Sequence, residues 1–128
     1  MVVPKFRAWY DESGIMYEVK SLIFTLKSML CVNKNALYPE RMLYFDDDNV
    51  KLMQFTGLFD KDGKEIFEGD IVKRTSLIPG GFDLIGIVKQ LEGSWVIDTG
   101  KEAVDLWSEI DENEVLGNVY KNPELVEK

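Results

Sequence analysis

Apolar and polar residues alternate over short stretches of this 128-residue chain, and turn-forming residues end each stretch. Near the N-terminus, Phe6, Ala8 and Tyr10 share one strand face by this alternation. The alternation resumes at Ile15, after the polar residues DESG at 11–14, whose glycine suits a positive φ. The pattern therefore predicts an N-terminal β-hairpin.

A second hairpin is predicted within LMQFTGLFDKDGKEIFEGDIV, residues 52–72. The Asp-Gly pair of DKDG, residues 60–63, is flanked by apolar strands, which is a strong short-range hairpin signal. Further on, EGD forces a change of direction. We expect Gly69 to adopt the left-handed conformation there and the Asp70 carboxylate to accept backbone N–H groups. We interpret the glycines of this stretch as backbone corners on which no ligand depends.

The segment 21–45 has apolar residues on every side and no dominant period. It is compatible with two strands joined by a loop at 33–35, or with a strand and a short helix. We favour strands because Ile, Phe and Thr cluster at 23–25. Later in the chain, Gly86 interrupts an apolar strand and suggests a bulge or a bend at a barrel corner.

Two patterns compete toward the C-terminus. Apolar residues have helical spacing over 104–110, whereas 115–119 alternates as a final strand. After that strand we expect a short helical turn, in which Asn122 caps and Pro123 takes the first helical position.

Many short strands separated by turn residues, with little sustained helical pattern, are typical of an all-β barrel or sandwich. We predict an all-β protein, a small bent barrel-like domain of several hairpins that begins with the N-terminal hairpin and ends in the short helical turn. Its length is that of one domain, and it contains no convincing linker. We therefore predict a single domain over 1–128, with the hairpin and the unassigned segment in 1–45 and a barrel-like β core in 50–128.

Composition excludes several classes of function. The chain has no histidine, which excludes imidazole acid–base catalysis, Ser–His and Cys–His pairs and the commonest zinc ligand. Its net charge of −8 opposes binding to phosphate backbones and to anionic membranes. We find neither a membrane-length apolar run nor a signal-peptide pattern, so we expect an intracellular protein. The single cysteine, Cys31, lies in an apolar run and is expected to be buried rather than reactive.

Acidic residues that resemble metal or acid–base sites have simpler structural explanations. The run DDD at 46–48 is expected to form a solvated turn, and DKDGKE lacks the spacing and downstream glutamate of a calcium loop. Glu65, Glu68 and Asp70 include candidates for a carboxylate pair, but a turn explains them better. We predict no catalytic residues, no metal ligands and no cofactor.

A nucleic-acid platform is a weaker alternative, because aromatic residues of a small barrel are more often core and the chain is acidic. The aromatic candidates are Trp9, Tyr10, Phe55, Phe67, Trp95 and Trp107, and a local basic patch would use Lys5, Arg7, Lys73 and Arg74. The acidic segment 102–128 is expected to be a solvated face. The alternative is that this acidic surface mimics DNA and binds a basic groove of a host protein.

Three stretches, KFRAWYDESGIMY, LMQFTGLFDKDGKEIFEGDIVK and EVLGNVYKNPEL, resemble in this order the marks of the YopX family of phage and prophage proteins. The resemblance spans nearly the whole chain and is most specific over 54–70. It implies a β-rich fold, an intracellular phage context and self-assembly, and it brings no active site. We assign structural roles to Gly57, Asp62, Gly63, Glu68, Gly69, Asp70, Gly117 and Asn118.

The sequence therefore predicts a non-enzymatic phage or prophage accessory protein of unknown activity, in the cytoplasm of the bacterial host. We expect it to act through protein partners, including itself as a homo-oligomer, and not through nucleic acid or membranes. The alternatives are an acidic DNA mimic that inhibits a host nucleic-acid-binding protein, and a hydrolase that uses carboxylates and a metal ion.

Overall fold

The structure, a computed structural model, describes residues 4–108 and 111–126. Regular structure in these residues consists of β-strands and two short 3₁₀ turns, which confirms the all-β prediction. The chain divides into two compact units, Met1–Gln54 and Phe55–Lys128. Whether the whole chain behaves as one domain stays a prediction.

The first unit is an antiparallel sheet with the strand order β4-β3-β2-β1-β5. Its strands are β1 (Phe6–Tyr10), β2 (Ile15–Ile23), β3 (Ser28–Val32), β4 (Glu40–Tyr44) and the first part of β5 (Val50–Phe59). A 3₁₀ turn, Phe24–Leu26, connects β2 to β3. The predicted N-terminal hairpin is confirmed, and so are two strands and a loop after position 27. The Ile, Phe and Thr cluster at 23–25, on which the strand prediction was based, instead ends β2 and enters the 3₁₀ turn.

One face of this sheet builds the core of the first unit. The buried residues are Ala8, Tyr17, Met29, Cys31, Leu43 and Val50. Ala8 lies opposite Tyr17 on β2 and Leu52 on β5, so these side chains point to the same side. Cys31 is fully buried, and burial raises the pKa of its thiol to about 11. The expectation of a small buried hydrophobe at this position is confirmed.

The second unit contains a hairpin and a five-stranded antiparallel sheet. The hairpin pairs the end of β5 with β6 (Glu65–Phe67), and the sheet consists of β7 (Asp70–Thr75), β8 (Leu84–Leu91), β9 (Ser94–Asp98), β10 (Ala103–Asp105) and β11 (Glu112–Asn118). The sheet order is β10-β9-β8-β7-β11, with β10 and β11 at open edges. Over the described residues, the predicted bent strands therefore do not close into a barrel.

The core of the second unit consists of aliphatic side chains from four strands and from the residue after β10, namely Ile66, Val72, Val88, Ile97 and Leu106. Of the competing C-terminal patterns, the alternating final strand is confirmed as β11, and 103–105 is strand rather than helix. Ile110, which the helical spacing included, lies outside the described residues. No helix in the described residues has the length and apolar character that crossing a membrane requires.

Of the two alternatives for Gly86, the bulge is wrong, and the bend stays a prediction. β8 keeps a continuous register with both β7 and β9. A Cβ at position 86 would lie 2.5 Å from the carbonyl oxygen of Asp98 and 2.7 Å from Cγ2 of Ile97. The glycine permits a close approach to β9. The irregularity in the register of this sheet lies on β11 instead, between Val115 and Gly117.

The C-terminal 3₁₀ turn, Pro123–Leu125, follows Asn122 as expected, but the Asn122 side chain does not cap it. Its Oδ1 atom accepts a hydrogen bond from the backbone N–H of Asn118 at 3.1 Å instead. A Cβ on Gly117 would lie only 2.5 Å from this oxygen. The asparagine therefore fastens the tail to the end of β11, and Gly117 leaves the space that it needs.

Candidate functional site

Gly69 is the corner between β6 and β7, and it connects three segments of the second unit. Its φ of +85° lies in the left-handed region, as the sequence predicts. Its N–H group donates to the carbonyl oxygen of Val88 at 2.8 Å, and its own carbonyl oxygen accepts from the N–H of Val119 at 2.9 Å. The corner therefore binds β8 and the chain that follows β11.

Asp70 completes this corner from a fully buried position. Its Oδ2 atom accepts the N–H of Phe67 at 2.8 Å, which confirms the predicted carboxylate–backbone bond. Its Oδ1 atom accepts from Nδ2 of Asn118 at 3.2 Å, and Oδ1 of Asn118 accepts the N–H of Tyr120 at 2.9 Å. The structure thus brings together Gly69, Asp70 and Asn118, three residues to which the sequence assigns structural roles.

Asp60 has a similar function that the sequence did not reveal. Its Oδ1 atom accepts the N–H groups of Asp62 and Lys64, each at 2.9 Å, and its Oδ2 atom accepts the N–H of Val115 at 3.0 Å. Burial raises the pKa of this carboxyl, but these three hydrogen bonds outweigh burial and hold its pKa below the ordinary value. Asp60 therefore joins the β5–β6 turn to β11.

Four further assigned positions lie around the β5–β6 hairpin. Gly57 and Gly63 have φ values of +86° and +82°. Gly57 lies where the register of β5 and β6 shifts, and the N–H of Gly63 donates to the carbonyl of Asp60 at 3.0 Å. Asp62 is exposed in the turn, whereas Glu68 is half-buried.

The acidic run 46–48 forms a turn between β4 and β5. Oδ1 of Asp47 accepts the N–H of Asn49 at 2.9 Å, and Asp46 and Asp48 are exposed. Over the described part of the chain, no three side chains of His, Cys, Asp or Glu are grouped to hold a metal ion.

The structure bears on two residues of the nucleic-acid alternative, which the sequence already disfavours. Arg74 does not belong to a surface patch, because it is buried and donates to Oδ1 of Asn113 at 3.0 Å and to the carbonyl oxygens of Asp105 and Leu106 at 2.8 and 2.7 Å. Trp107 does not belong to the core, because 61% of it is exposed.

The outer edge of the first unit is the clearest interaction surface. Within the described residues, β4 pairs with β3 alone, so its other side presents unpaired main-chain groups. Apolar side chains are exposed along this edge and at both of its ends: Phe24, Leu26, Leu37, Tyr38, Met42 and Tyr44. Large exposed apolar groups close to an open strand edge are typical of protein interaction sites.

Comparisons with known proteins match one family and several solved structures, two of which are described here. The family profile described as YopX protein matches residues 5–127. The crystal structure of protein EF1440 from Enterococcus faecalis has a TM-score of 0.60 and 26% identity, over 99% of this chain and 100% of that chain. The crystal structure of protein yopX from Bacillus subtilis has a TM-score of 0.61 and 27% identity, over 96% and 98%. No significant match is found among curated proteins.

Proposed function

Since this chain belongs to the YopX family, we propose that it is a phage or prophage accessory protein that acts without catalysis, through protein contacts, in the cytoplasm of a bacterial host. These contacts include self-association. The observation that carries the proposal is the open edge of β4 with its exposed apolar side chains. A second copy of the chain offers the same strand, so a symmetric pair satisfies both edges at once.

The residues of β4 favour one antiparallel register, centred on Met42. Met42 then lies opposite Met42 of the second copy, Arg41 lies opposite Leu43, and Glu40 lies opposite Tyr44. This register places no like charges opposite each other. A register centred on Arg41 would oppose two guanidinium groups, which is unfavourable in a strand pair.

The exposed apolar groups at the ends of β4 complement each other in the same arrangement. Leu37 and Tyr38 are exposed in the loop before the strand. Phe24 and Leu26 are exposed beyond its other end, where the ring of Phe45 packs 6.1 Å from the ring of Phe24. Antiparallel pairing brings the start of one β4 beside the end of the other. Apolar groups from both copies would therefore be buried together, which supplies the driving force for association.

The test is the molar mass in solution, measured by size-exclusion chromatography with light scattering over a range of concentrations. We expect the wild-type chain to form a dimer or a larger oligomer and Met42→Lys to be monomeric, because two ammonium groups would face each other. Leu91→Lys places the same charge on a similarly exposed apolar residue of β8 and should leave the oligomer intact. A wild-type chain that stays monomeric at high concentration, or an oligomer that persists in Met42→Lys, contradicts the proposal.

The use of the buried carboxylates supports a role without catalysis. Asp60 and Asp70 are the buried acidic residues of the described chain, and backbone and amide groups already occupy their oxygens. A general acid or base needs a carboxylate that can exchange its proton with a substrate. Asp60 and Asp70 therefore have structural roles, which fits the proposed action without catalysis.

The acidic DNA mimic stays a second prediction, supported by the net charge of −8. We expect such a mimic to recover a nucleic-acid-binding protein when it is used as bait in a host lysate. Recovery of none would contradict it, and the β4 pairing would be unaffected.

A further inference from the structure

Trp107 stands exposed between two clefts of the second unit. Each cleft has a volume of about 340 Å³, and Leu58 and Trp107 line both. Asp111 and Glu112 also line the first cleft, and Asp105 also lines the second. The indole of Trp107 is 61% exposed, so its ring is accessible to a ligand from the side of the clefts.

The backbone that leads into Trp107 is held by a buried polar network. The Arg74 guanidinium donates to the carbonyl oxygens of Asp105 and Leu106 and to Oδ1 of Asn113. Nδ2 of Asn113 donates to the same Leu106 oxygen at 3.0 Å. Burial lowers the pKa of Arg74, and the carboxylates of Asp111 and Asp105 oppose that shift. Burying a guanidinium is unfavourable by itself, so these bonds fix the chain that presents Trp107.

The charge around Trp107 selects the kind of ligand. The lining of the two clefts contains four carboxylates, those of Asp60, Asp105, Asp111 and Glu112, against the ammonium of Lys61. The buried Arg74 guanidinium behind the clefts interacts with the charges of Asp105 and Asp111, so four negative charges face two positive ones. Oδ1 of Asp111 is buried and accepts no hydrogen bond from the residues that the structure describes. An aromatic face beside carboxylates suits a cation, because the ring face is electron-rich and the carboxylates accept its N–H groups.

We propose that Trp107, with Asp105 and Asp111 on either side of it, binds the guanidinium of an arginine side chain in a basic segment of a partner protein. A guanidinium is planar, so it stacks on the indole while its N–H groups reach the carboxylates. The ammonium of lysine is compact and not planar, so it is less able to stack on the indole and reach the carboxylates at the same time. A nucleic-acid base would also stack on Trp107, but its phosphates would face the carboxylates. The site belongs to the second unit and the β4 edge to the first. The inference does not depend on β4 pairing.

The test uses a fluorescein-labelled peptide of alternating arginine and glycine, with fluorescence anisotropy at physiological ionic strength. The matched probe has citrulline in place of each arginine, which keeps the shape and removes the charge. We expect the arginine peptide to bind and the citrulline peptide to bind at least fivefold more weakly. The citrulline peptide loses both the cation–π contact and the charge pairing, and each loss weakens affinity by roughly this factor. Equal binding of the two peptides, or tighter binding of labelled single-stranded DNA, overturns the proposal.

Variants locate the binding on the protein. Trp107→Ala should lower the affinity for the arginine peptide roughly fivefold or more. Phe82→Ala, at a residue that is 90% exposed in another loop, should leave this affinity unchanged. Asp105→Asn should weaken binding by roughly two- to fivefold, and Glu124→Gln makes the same charge change at an exposed residue outside both clefts. Circular dichroism establishes that each variant is folded. Loss of affinity in Glu124→Gln equal to that in Asp105→Asn, or wild-type affinity in Trp107→Ala, would mean that the peptide does not bind at Trp107.

Discussion

At the residue scale, Gly69 shows how one backbone conformation organises several strands. Its φ of +85° turns the chain between β6 and β7, and both of its main-chain polar groups bind other segments. A β-branched side chain in this conformation places Cβ against the backbone, which costs about 1–3 kcal/mol of strain. The corner thus depends on the absence of a side chain and not on any reactive group.

Gly69→Val should therefore lose about 2 kcal/mol or more of unfolding free energy. Gly69→Asn is the matched control, because asparagine tolerates the left-handed region and should lose clearly less. Urea denaturation followed by tryptophan fluorescence measures both. A Gly69→Val protein with an unchanged melting temperature would refute the role of this glycine as a corner.

Asp60 is a second example at the residue scale. Its ionised carboxylate accepts backbone N–H groups, as the carbonyl groups of a neighbouring strand would. Its oxygens accept three backbone N–H groups, from the turn of its own hairpin and from β11. Because these bonds favour the charged form, its folded pKa lies below the unfolded value of about 3.9. The stabilisation is then fully present above that unfolded value and is lost as the pH falls through the folded pKa.

Asp60→Asn should lose about 1–3 kcal/mol of stability near neutral pH, because one amide N–H group would face a backbone donor. Its stability should also fall less steeply than that of the wild type below about pH 4. Asp62→Asn, in the exposed part of the same turn, should stay within about 0.5 kcal/mol of the wild type. Urea midpoints measured from acid to neutral pH test both effects. Equal acid sensitivity of Asp60→Asn and the wild type would contradict the assignment.

At the element scale, β7 is fastened to the strands around it by side chains as well as by the ladder. Arg74 extends from β7 to the end of β10 and to Asn113 of β11. β10 has only three residues and hydrogen-bonds to β9 alone within the described chain, so its own ladder is short. The guanidinium therefore supplies bonds that the short strand lacks.

Arg74→Lys should destabilise the protein by about 2 kcal/mol, because an ammonium keeps the charge but cannot form the same three directed bonds. Lys73→Arg is the neighbouring control, at a half-buried position of the same strand. It should change stability by less than about 0.5 kcal/mol. Urea denaturation distinguishes the two variants. Equal urea midpoints for Arg74→Lys and the wild type would exclude this role for the Arg74 guanidinium.

At the scale of the whole molecule, β5 is the element that both compact units share. It runs without a break over Val50–Phe59, pairs with β1 before the boundary at Gln54, and pairs with β6 after it. Residues of β5 therefore belong to the regular structure of each unit. Whether the two units unfold together stays a prediction, which unfolding measurements test.

We accordingly expect a single unfolding transition, which NMR can follow through the indole N–H signals in one urea titration. Trp9 reports on the first unit and Trp95 on the second. Coincident midpoints are the expected result. Gly69→Val should shift both midpoints together, although position 69 lies in the second unit. Two separated midpoints in the wild type would show that the units unfold independently.

Local chemistry by itself determined much of this protein. Period-two alternation and Asp-Gly or Glu-Gly-Asp turns specified the hairpins at 6–19 and 50–67 and the corner at Gly69. They also specified the bond at this corner from a backbone N–H group to the Asp70 carboxylate. These features depend on residues close together in sequence, where φ preference and side-chain reach decide the conformation. The absence of histidine and the net charge likewise bounded the chemistry before any fold was considered.

Only the tertiary structure decided which distant groups meet. Asp60 accepts from Val115, which lies 55 positions away, and Arg74 reaches Leu106, which lies 32 positions away. Arg74 and Trp107 have ordinary local sequences, so neither the burial of the guanidinium nor the exposure of the indole was predictable. Alternation tells which residues share a strand face, but not which strand covers that face or which edge stays open. Those depend on long-range pairing, whose energy is spread over many contacts and leaves no short motif in the chain.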